Sequence, residues 1–142
     1  MQEIKKILYM KILLLLLFTT PIICFSQTSF SCNLKEFCDW NEYKETWEND
    51  CNSFEYNCLF VMNKDETMFV HTTATIKSTY FVKKSRYTQE QADENFFAYD
   101  VVSDVGNEYY FIFDMANKEV KTITKDENGN SILIRYYVKS IF

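Results

Sequence analysis

Glycine, proline and histidine are scarce in this chain of 142 residues, which has two glycines, one proline and one histidine. With so little glycine there is no loop in which backbone amides could closely approach a phosphate. A hydrolytic metal site uses two or three histidines, and His71 stands alone. No Gly-x-Ser-x-Gly sequence is present to hold a nucleophilic serine on a sharp turn. The sequence therefore predicts a protein that is not an enzyme and uses no metal or other cofactor.

The first 26 residues have the composition of a secretory signal peptide. Three lysines between residues 5 and 11 precede the apolar run Ile12–Phe18, and small or polar residues follow it. The apolar stretch ends near residue 25, which makes it shorter than the ~20 residues of a membrane-spanning helix. We expect cleavage between Ser26 and Gln27 and an exported chain, periplasmic or extracellular. The alternatives are an uncleaved anchor and a lipoprotein cut before Cys24.

The predicted mature chain, residues 27–142, is long enough for one domain with a real core. It has neither a linker nor a repeat. Removing three lysines and one glutamate from 15 basic and 20 acidic residues leaves 12 and 19, a net charge of −7. Phosphates would repel such a surface, so nucleic acid is excluded as a partner. No transmembrane segment is predicted in this part of the chain.

Aromatic and β-branched runs separated by turn residues predict an all-β fold. Gly106 and Asn128-Gly129 mark two hairpin turns, because these residues tolerate a positive φ. The short turns leave no room for the crossovers that parallel strands need. We predict an antiparallel meander of about seven strands, curled into a partial or closed small barrel. The predicted strands are 59–62, 68–73, 76–83, 96–102, 109–113, 119–124 and 132–138, with a loop or helical turn over 85–95.

The segment from Cys32 to Cys58 fits two local structures. Trp40 and Trp47 fall on one helical stripe, but they would also face each other across a hairpin whose loop is Glu42–Glu45. The neighbouring strands favour the hairpin. Seven acids lie between residues 36 and 55 against one lysine. They form either a solvated face or a surface for a cation or a basic partner.

Four cysteines remain after the predicted cleavage: Cys32, Cys38, Cys51 and Cys58. An even number in an exported chain predicts two disulfides, with three connectivities open. A hairpin favours the nested arrangement, Cys38–Cys51 inside Cys32–Cys58. Zinc binding is disfavoured because the paired Cys-x-x-Cys spacing is missing.

Aromatic side chains occupy both faces of the predicted strand 109–113. Either this strand is covered on both sides, or one face meets a ligand or partner. The candidate binding-face aromatics are Trp40, Trp47, Tyr109, Phe111 and Phe113. His71 lies in the run Phe-Val-His-Thr-Thr, which is typical of an ordinary strand position.

Four stretches resemble parts of small uncharacterised exported proteins of Bacteroidota-type bacteria. They are CFSQ at the end of the signal, TMFVHTTATIKSTYFV, SDVGNEYYFIFD and the terminal YYVKSIF. The resemblance implies export and a β architecture, and it assigns no functional residue.

Three functions fit these observations. The first is a non-enzymatic exported module that binds a protein or envelope component through an aromatic-rich sheet face. The second is a lipocalin-like carrier of a small apolar ligand inside a barrel. The third is a hydrolase that works through paired carboxylates, since the chain has many acids.

Overall fold

The structure is a computed structural model that describes residues 27–142, a chain of antiparallel strands with one short helix. The signal peptide and the Ser26–Gln27 cleavage site are predictions that involve residues 1–26, which lie outside this range. The elements are β1 Thr28–Asn41, β2 Thr46–Trp47, β3 Asn52–Met62, β4 Met68–Thr72, β5 Lys77–Ser85, α1 Gln89–Asp93, β6 Phe96–Ser103, β7 Glu108–Asp114, β8 Glu119–Lys125 and β9 Ser131–Ile141.

Eight of these strands form a closed barrel. From β3 to β9 each strand pairs with the next, and β1 pairs with β3 on one side and β9 on the other. Closure removes the unpaired edges of the meander, which an open sheet would leave exposed. The all-β antiparallel prediction is confirmed, and the barrel is closed. The two-residue strand β2 pairs only with the end of β1.

The turns explain how a chain with two glycines can make a meander. Gly106 and Gly129 have φ values of +87° and +84° and lie in the β6–β7 and β8–β9 turns. The predicted hairpin at Asn128-Gly129 is therefore confirmed. Elsewhere non-glycine residues take the left-handed conformation, which costs more for side chains with a Cβ. These residues are Glu45, Glu66, Asn95 and Lys118.

The first two strands of the barrel, β1 and β3, include residues that the sequence pattern did not indicate as strand. Residues 28–37 were not predicted as a strand, and β3 begins at Asn52 instead of residue 59. The register of β1 shifts between Cys32 and Leu34 against both of its neighbours. This irregularity changes which residues face the interior: Cys32 faces inward, and so does Lys35, whose Nζ lies over the inward rings of Tyr56 and Tyr136. A break in the two-residue alternation hides a strand from pattern analysis.

Aromatic rings fill the barrel. Phe69 lies 4.9 Å from Phe111 and 5.2 Å from Phe113 between ring centroids, and Phe30 lies 5.0 Å from Phe113. Phe60 contacts the same group from β3. These edge-to-face and tilted contacts are the favourable geometries for aromatic pairs, and each adds about 0.5–1.5 kcal/mol beyond burial.

A polar contact closes the end of the barrel next to α1. The Glu66 carboxylate accepts hydrogen bonds from the Tyr87 hydroxyl at 2.6 Å and from the Tyr99 hydroxyl at 3.0 Å. Burial, together with the Glu66 charge, raises the pKa of Tyr99. Thr88 caps α1 through a capping box with Gln91, in the stretch where a loop or helical turn was predicted. Within residues 27–142, no helix has the length and apolar character needed to cross a bilayer.

Candidate functional site

The predicted binding-face aromatics lie in two different places. Phe111 and Phe113 are 2% and 1% exposed and face the barrel interior, so placing them on a binding face was wrong. The physical reason is that an eight-stranded barrel is just wide enough for inward side chains to fill it. Tyr109 is half-buried on the same side, 5.6 Å from Tyr80 between ring centroids. On the opposite face of this strand Ile112 is half-buried, so both faces of β7 are partly covered.

Trp40 and Trp47 lie outside the barrel, on a hairpin formed by the end of β1 and by β2. The two residues are Cα partners, and their rings meet edge to face at 5.1 Å. The turn spans residues 42–45, and Glu45 there has a positive φ of 50°. The predicted hairpin is therefore confirmed, and the helical alternative is wrong. We call residues 39–50 the tryptophan hairpin.

A disulfide closes the base of the tryptophan hairpin. Cys38 and Cys51 are joined, with their Cα atoms 4.6 Å apart and a sequence separation of 13. This confirms the inner bond of the predicted nested pair. The Glu48 amide also donates a hydrogen bond to the Asp39 carbonyl at 2.9 Å, and the Asn41 side chain donates to the Glu48 carboxylate. The hairpin is therefore held in one shape by covalent and polar contacts at its base and along its sides.

The tryptophan hairpin combines negative charge with exposed aromatic surface. It contains five acids and one lysine, which gives a net charge of −4. Tyr43 at the tip is fully exposed, and Trp40 is 37% exposed. A shallow groove of about 410 Å³ lies between Trp40, Tyr43 and the Asn130–Ser131 end of the β8–β9 turn. The acids are Asp39, Glu42, Glu45, Glu48 and Asp50.

The other two cysteines face each other inside the barrel. Cys32 and Cys58 are Cα partners on β1 and β3, both are buried, and both are free thiols. Their register is the one that the nested prediction requires, but the two sulfurs are not bonded, so the inner disulfide of the predicted pair is present and the outer one is not. Interaction with the Cys58 sulfur, together with burial, raises the pKa of Cys32.

Two basic side chains complete this interior cluster. His71 of β4 stacks flat on Phe60, with 4.4 Å between ring centroids, and is near enough to Cys58 to lower the pKa of its thiol. Lys35 of β1 places Nζ 4.7 Å from the centroid of the Tyr56 ring and 5.3 Å from that of Tyr136. Burial among these rings lowers the pKa of Lys35, which the Cys58 charge opposes. We call Cys32, Lys35, Cys58 and His71 the thiol cluster.

The thiol cluster lowers the pKa of Cys58. Interaction with the Cys32 thiol lowers it most, and His71 and Lys35 lower it further. Burial acts in the opposite direction but is outweighed. His71 Nε2 has no hydrogen-bond partner among the described residues. His71 and Lys35 thus favour negative charge at the Cys58 end of the cysteine pair.

Charged residues on the outside of β8 and β9 form ion pairs instead of a paired-acid site. Lys121 Nζ lies 2.8 Å from Glu119 and 3.4 Å from Asp114, and Arg135 bridges Glu119 and Glu36. Each of these carboxylates thus has a basic partner. Over residues 27–142, the group of metal-capable side chains that converges is Glu36 with Cys38 and Cys51, and both sulfurs are already in the disulfide.

The sequence predicted the hairpin but not the thiol cluster. Lys35 and His71 were not connected with the cysteines, because their meeting depends on strand order and on the register shift in β1. One sequence signal was present: Cys58 and Phe60 lie two residues apart on β3, as Phe69 and His71 do on β4, so the members of each pair share one face of their strand. Comparisons with family models, curated proteins and solved structures give no match, so the function is argued from these two sites alone.

Proposed function

We propose that this protein is a non-enzymatic exported binding module that uses the tryptophan hairpin to bind a basic segment of a partner protein. The observation that supports this most is the location of both tryptophans and the fully exposed Tyr43 on one disulfide-closed hairpin of net charge −4. Large aromatic side chains on a preorganised element are typical anchors of protein interfaces.

The chemistry of the hairpin favours lysine or arginine side chains as the bound groups. A cation over the face of a tryptophan or tyrosine ring gains about 0.5–1 kcal/mol at an exposed site. Exposed ion pairs add about 0.2–1 kcal/mol each, and a set of five acids also speeds the encounter at low salt. Trp40 and Tyr43 supply rings next to Glu42, so one basic side chain can meet both kinds of group.

Two other functions receive less support from the geometry. A carrier needs a hollow interior, whereas ring-to-ring contacts of 4.9–5.2 Å occupy the centre of this barrel. A carboxylate hydrolase needs an acid whose pKa is raised for proton donation. Asp114 instead has a lowered pKa: burial raises it, but hydrogen bonds from Asn117 and the charge of Lys121 outweigh that effect.

Export is part of the proposal. The basic and apolar segments within residues 1–26 have the order of a signal peptide. A disulfide such as Cys38–Cys51 persists in an oxidising compartment, which is consistent with a location outside the cytosol. Mass spectrometry of the protein from a secreting host would test this, because Gln27 should be its first residue.

Tryptophan fluorescence provides a direct test of binding, because the only two tryptophans of the chain lie in the tryptophan hairpin. Titration with a lysine- or arginine-rich peptide should shift the emission and saturate, and the affinity should fall as salt rises. A neutral peptide of the same length should leave the emission unchanged. An unchanged spectrum with the cationic peptide would contradict the proposal.

Variants then locate the binding surface. Glu42→Lys with Glu45→Lys should weaken binding of the cationic peptide by about tenfold or more, since two attractive charges become repulsive. The matched control is the same change at Glu90 and Glu94, two exposed acids in α1 and directly after it. Tyr43→Ala should also weaken binding, whereas Phe81→Ala, at an exposed position on β5, should not. Equal losses in hairpin and control variants would show that only net charge matters.

A further inference from the structure

A second and larger groove lies next to the tryptophan hairpin. Its volume is about 1020 Å³, and it crosses strands β5 to β9. Ser131 borders both this groove and the smaller one beside Trp40 and Tyr43. The two grooves therefore form one continuous surface. We call the larger one the outer groove, and the side chains that matter below are those of Lys84, Asp100, Glu108, Tyr110, Ile123 and Lys125.

The strand register places much of this lining in one row on the outside of the barrel. Lys84 is the Cα partner of Asp100, and Asp100 is the partner of Tyr110. Tyr110 in turn pairs with Ile123. Partners on an antiparallel ladder point to the same face of the sheet. Phe111, next to Tyr110, points into the barrel, so the row points outward. Tyr110 and Ile123 are half-buried and form the apolar centre of the outer groove.

The outer groove presents positive charge, although residues 27–142 together have a net charge of −7. Both acids in its lining already have a basic partner, in the ion pairs Lys83–Glu108 and Arg86–Asp100. Lys84 and Lys125 are exposed, and neither forms an ion pair with any residue between 27 and 142. Their two ammonium groups are therefore available to an anionic ligand.

We propose that the outer groove binds an acidic stretch of the same partner segment whose basic stretch is bound by the tryptophan hairpin. This inference rests on the proposed function and extends it from a basic to a bipartite segment. A hairpin of net charge −4 adjoins a groove with two unpaired lysines, Lys84 and Lys125. A segment that carries both signs of charge complements both surfaces. Joining the two stretches also raises the local concentration of the second once the first is bound.

The spacing of the strands sets the length of the bound segment. Between β1 and β5 the surface crosses β9, β8, β7 and β6. With about 4.8 Å between neighbouring strands, Trp40 on β1 is about 10 Å from Lys125 on β8 and about 24 Å from Lys84 on β5. An extended chain advances by about 3.3–3.6 Å per residue. We therefore expect acidic residues about three and about seven positions from the basic stretch.

Three peptides separate the two surfaces, with tryptophan fluorescence as the readout at about 0.15 M salt. The first has an arginine stretch followed by neutral residues. The second adds glutamates about three and seven positions beyond the arginines, and the third places the same glutamates directly beside the arginines. The second should bind about fivefold more tightly than the first, because it adds two exposed ion pairs. The third should not share this gain, because its glutamates do not reach the groove.

The peptides also distinguish the two levels of the proposal. Equal affinities of the first and second peptides, or of the second and third, would overturn the bipartite segment and leave the proposed function of the hairpin standing. If the first peptide does not bind at all, it is the proposed function that is contradicted.

A double variant locates the acidic half of the segment. Lys84→Glu with Lys125→Glu should abolish the fivefold gain of the second peptide over the first, since attraction becomes repulsion at both ends of the groove. The matched control is Lys64→Glu with Lys139→Glu, which makes the same change of charge at two exposed lysines outside the groove. The gain should persist in the control. Loss of the gain in both variants would show that net charge alone is responsible, against the proposal.

The unaltered protein provides a measurement that needs no variant. A carbodiimide joins carboxylates to nearby amines, and an N-acetylated peptide with arginines instead of lysines has no amine of its own. The glutamates of the second peptide should be found linked to Lys84 and Lys125 by mass spectrometry. Links spread evenly over the exposed lysines would refute the site. Sedimentation completes the test: a peptide-free dimer that becomes monomeric in the Lys84/Lys125 variant would assign the groove to a second copy of this chain and overturn the proposal.

Discussion

Removing the Cys38–Cys51 disulfide should lower the free energy of unfolding by about 3 kcal/mol. The bond joins residues separated by 13 positions. The chain-entropy relation for a closed loop of about 14 residues gives about 10 cal/mol/K, or about 3 kcal/mol at 25 °C. With roughly 2.1 cal/mol/K of unfolding entropy per residue over residues 27–142, this corresponds to a Tm lower by about 12 °C.

The measurement compares urea unfolding of the protein with that of Cys38→Ala/Cys51→Ala, followed by circular dichroism. The matched control is Cys32→Ala/Cys58→Ala, which also removes two sulfurs but leaves the hairpin bond in place. The unaltered protein should approach the first variant when it is unfolded in the presence of reductant. A difference below about 1 kcal/mol between the oxidised protein and the Cys38/Cys51 variant would refute the loop-entropy argument.

Two further predictions concern the barrel interior. Phe60→Ala should cost about 3–5 kcal/mol in urea unfolding, since the Phe60 ring meets five other rings and its loss leaves a cavity; Phe81→Ala should change stability by less than about 0.5 kcal/mol. Burial raises the pKa of Tyr80 to about 12 from 10.0. Because the folded-state pKa is the higher one, the stabilisation is complete below pH 10 and is lost as pH rises toward 12. Tyr80→Phe should therefore unfold less readily than the unaltered protein above pH 10, and tyrosinate absorbance should show the buried tyrosines ionising only on unfolding.

Strand content could be predicted from the sequence because the turns carry strong local signals. Gly106 and Asn128-Gly129 define their hairpins by backbone conformation alone, which needs no tertiary information. The aromatic runs between them then had to be strands of an antiparallel meander. Closure could not be predicted, because it depends on pairing between the first and last strands, β1 and β9.

The two candidate sites also differ in how far the sequence predicts them, because one depends on local contacts and the other on long-range strand pairing. The tryptophan hairpin is local: Trp40 and Trp47 pair across a four-residue turn, so their spacing is sufficient to place them. The thiol cluster unites β1, β3 and β4, and His71 reaches Cys58 only because β3 and β4 pair in one particular register. Phe111 and Phe113 were predicted to lie on a binding face of β7, but they fill the barrel interior. The sequence does not say whether a barrel is filled or hollow.

The spacing of the cysteines explains why their two pairs have different environments. Cys51 and Cys58 are seven residues apart, so a regular strand turns them to opposite faces, whereas Cys32 and Cys38, six apart, would share one face. The four cysteines therefore cannot form nested pairs on two strands whose alternation is regular throughout. The register shift between Cys32 and Leu34 supplies it, since β1 changes face there. One cysteine pair is thus directed into the barrel beside His71 and Lys35, and the other closes the hairpin outside it.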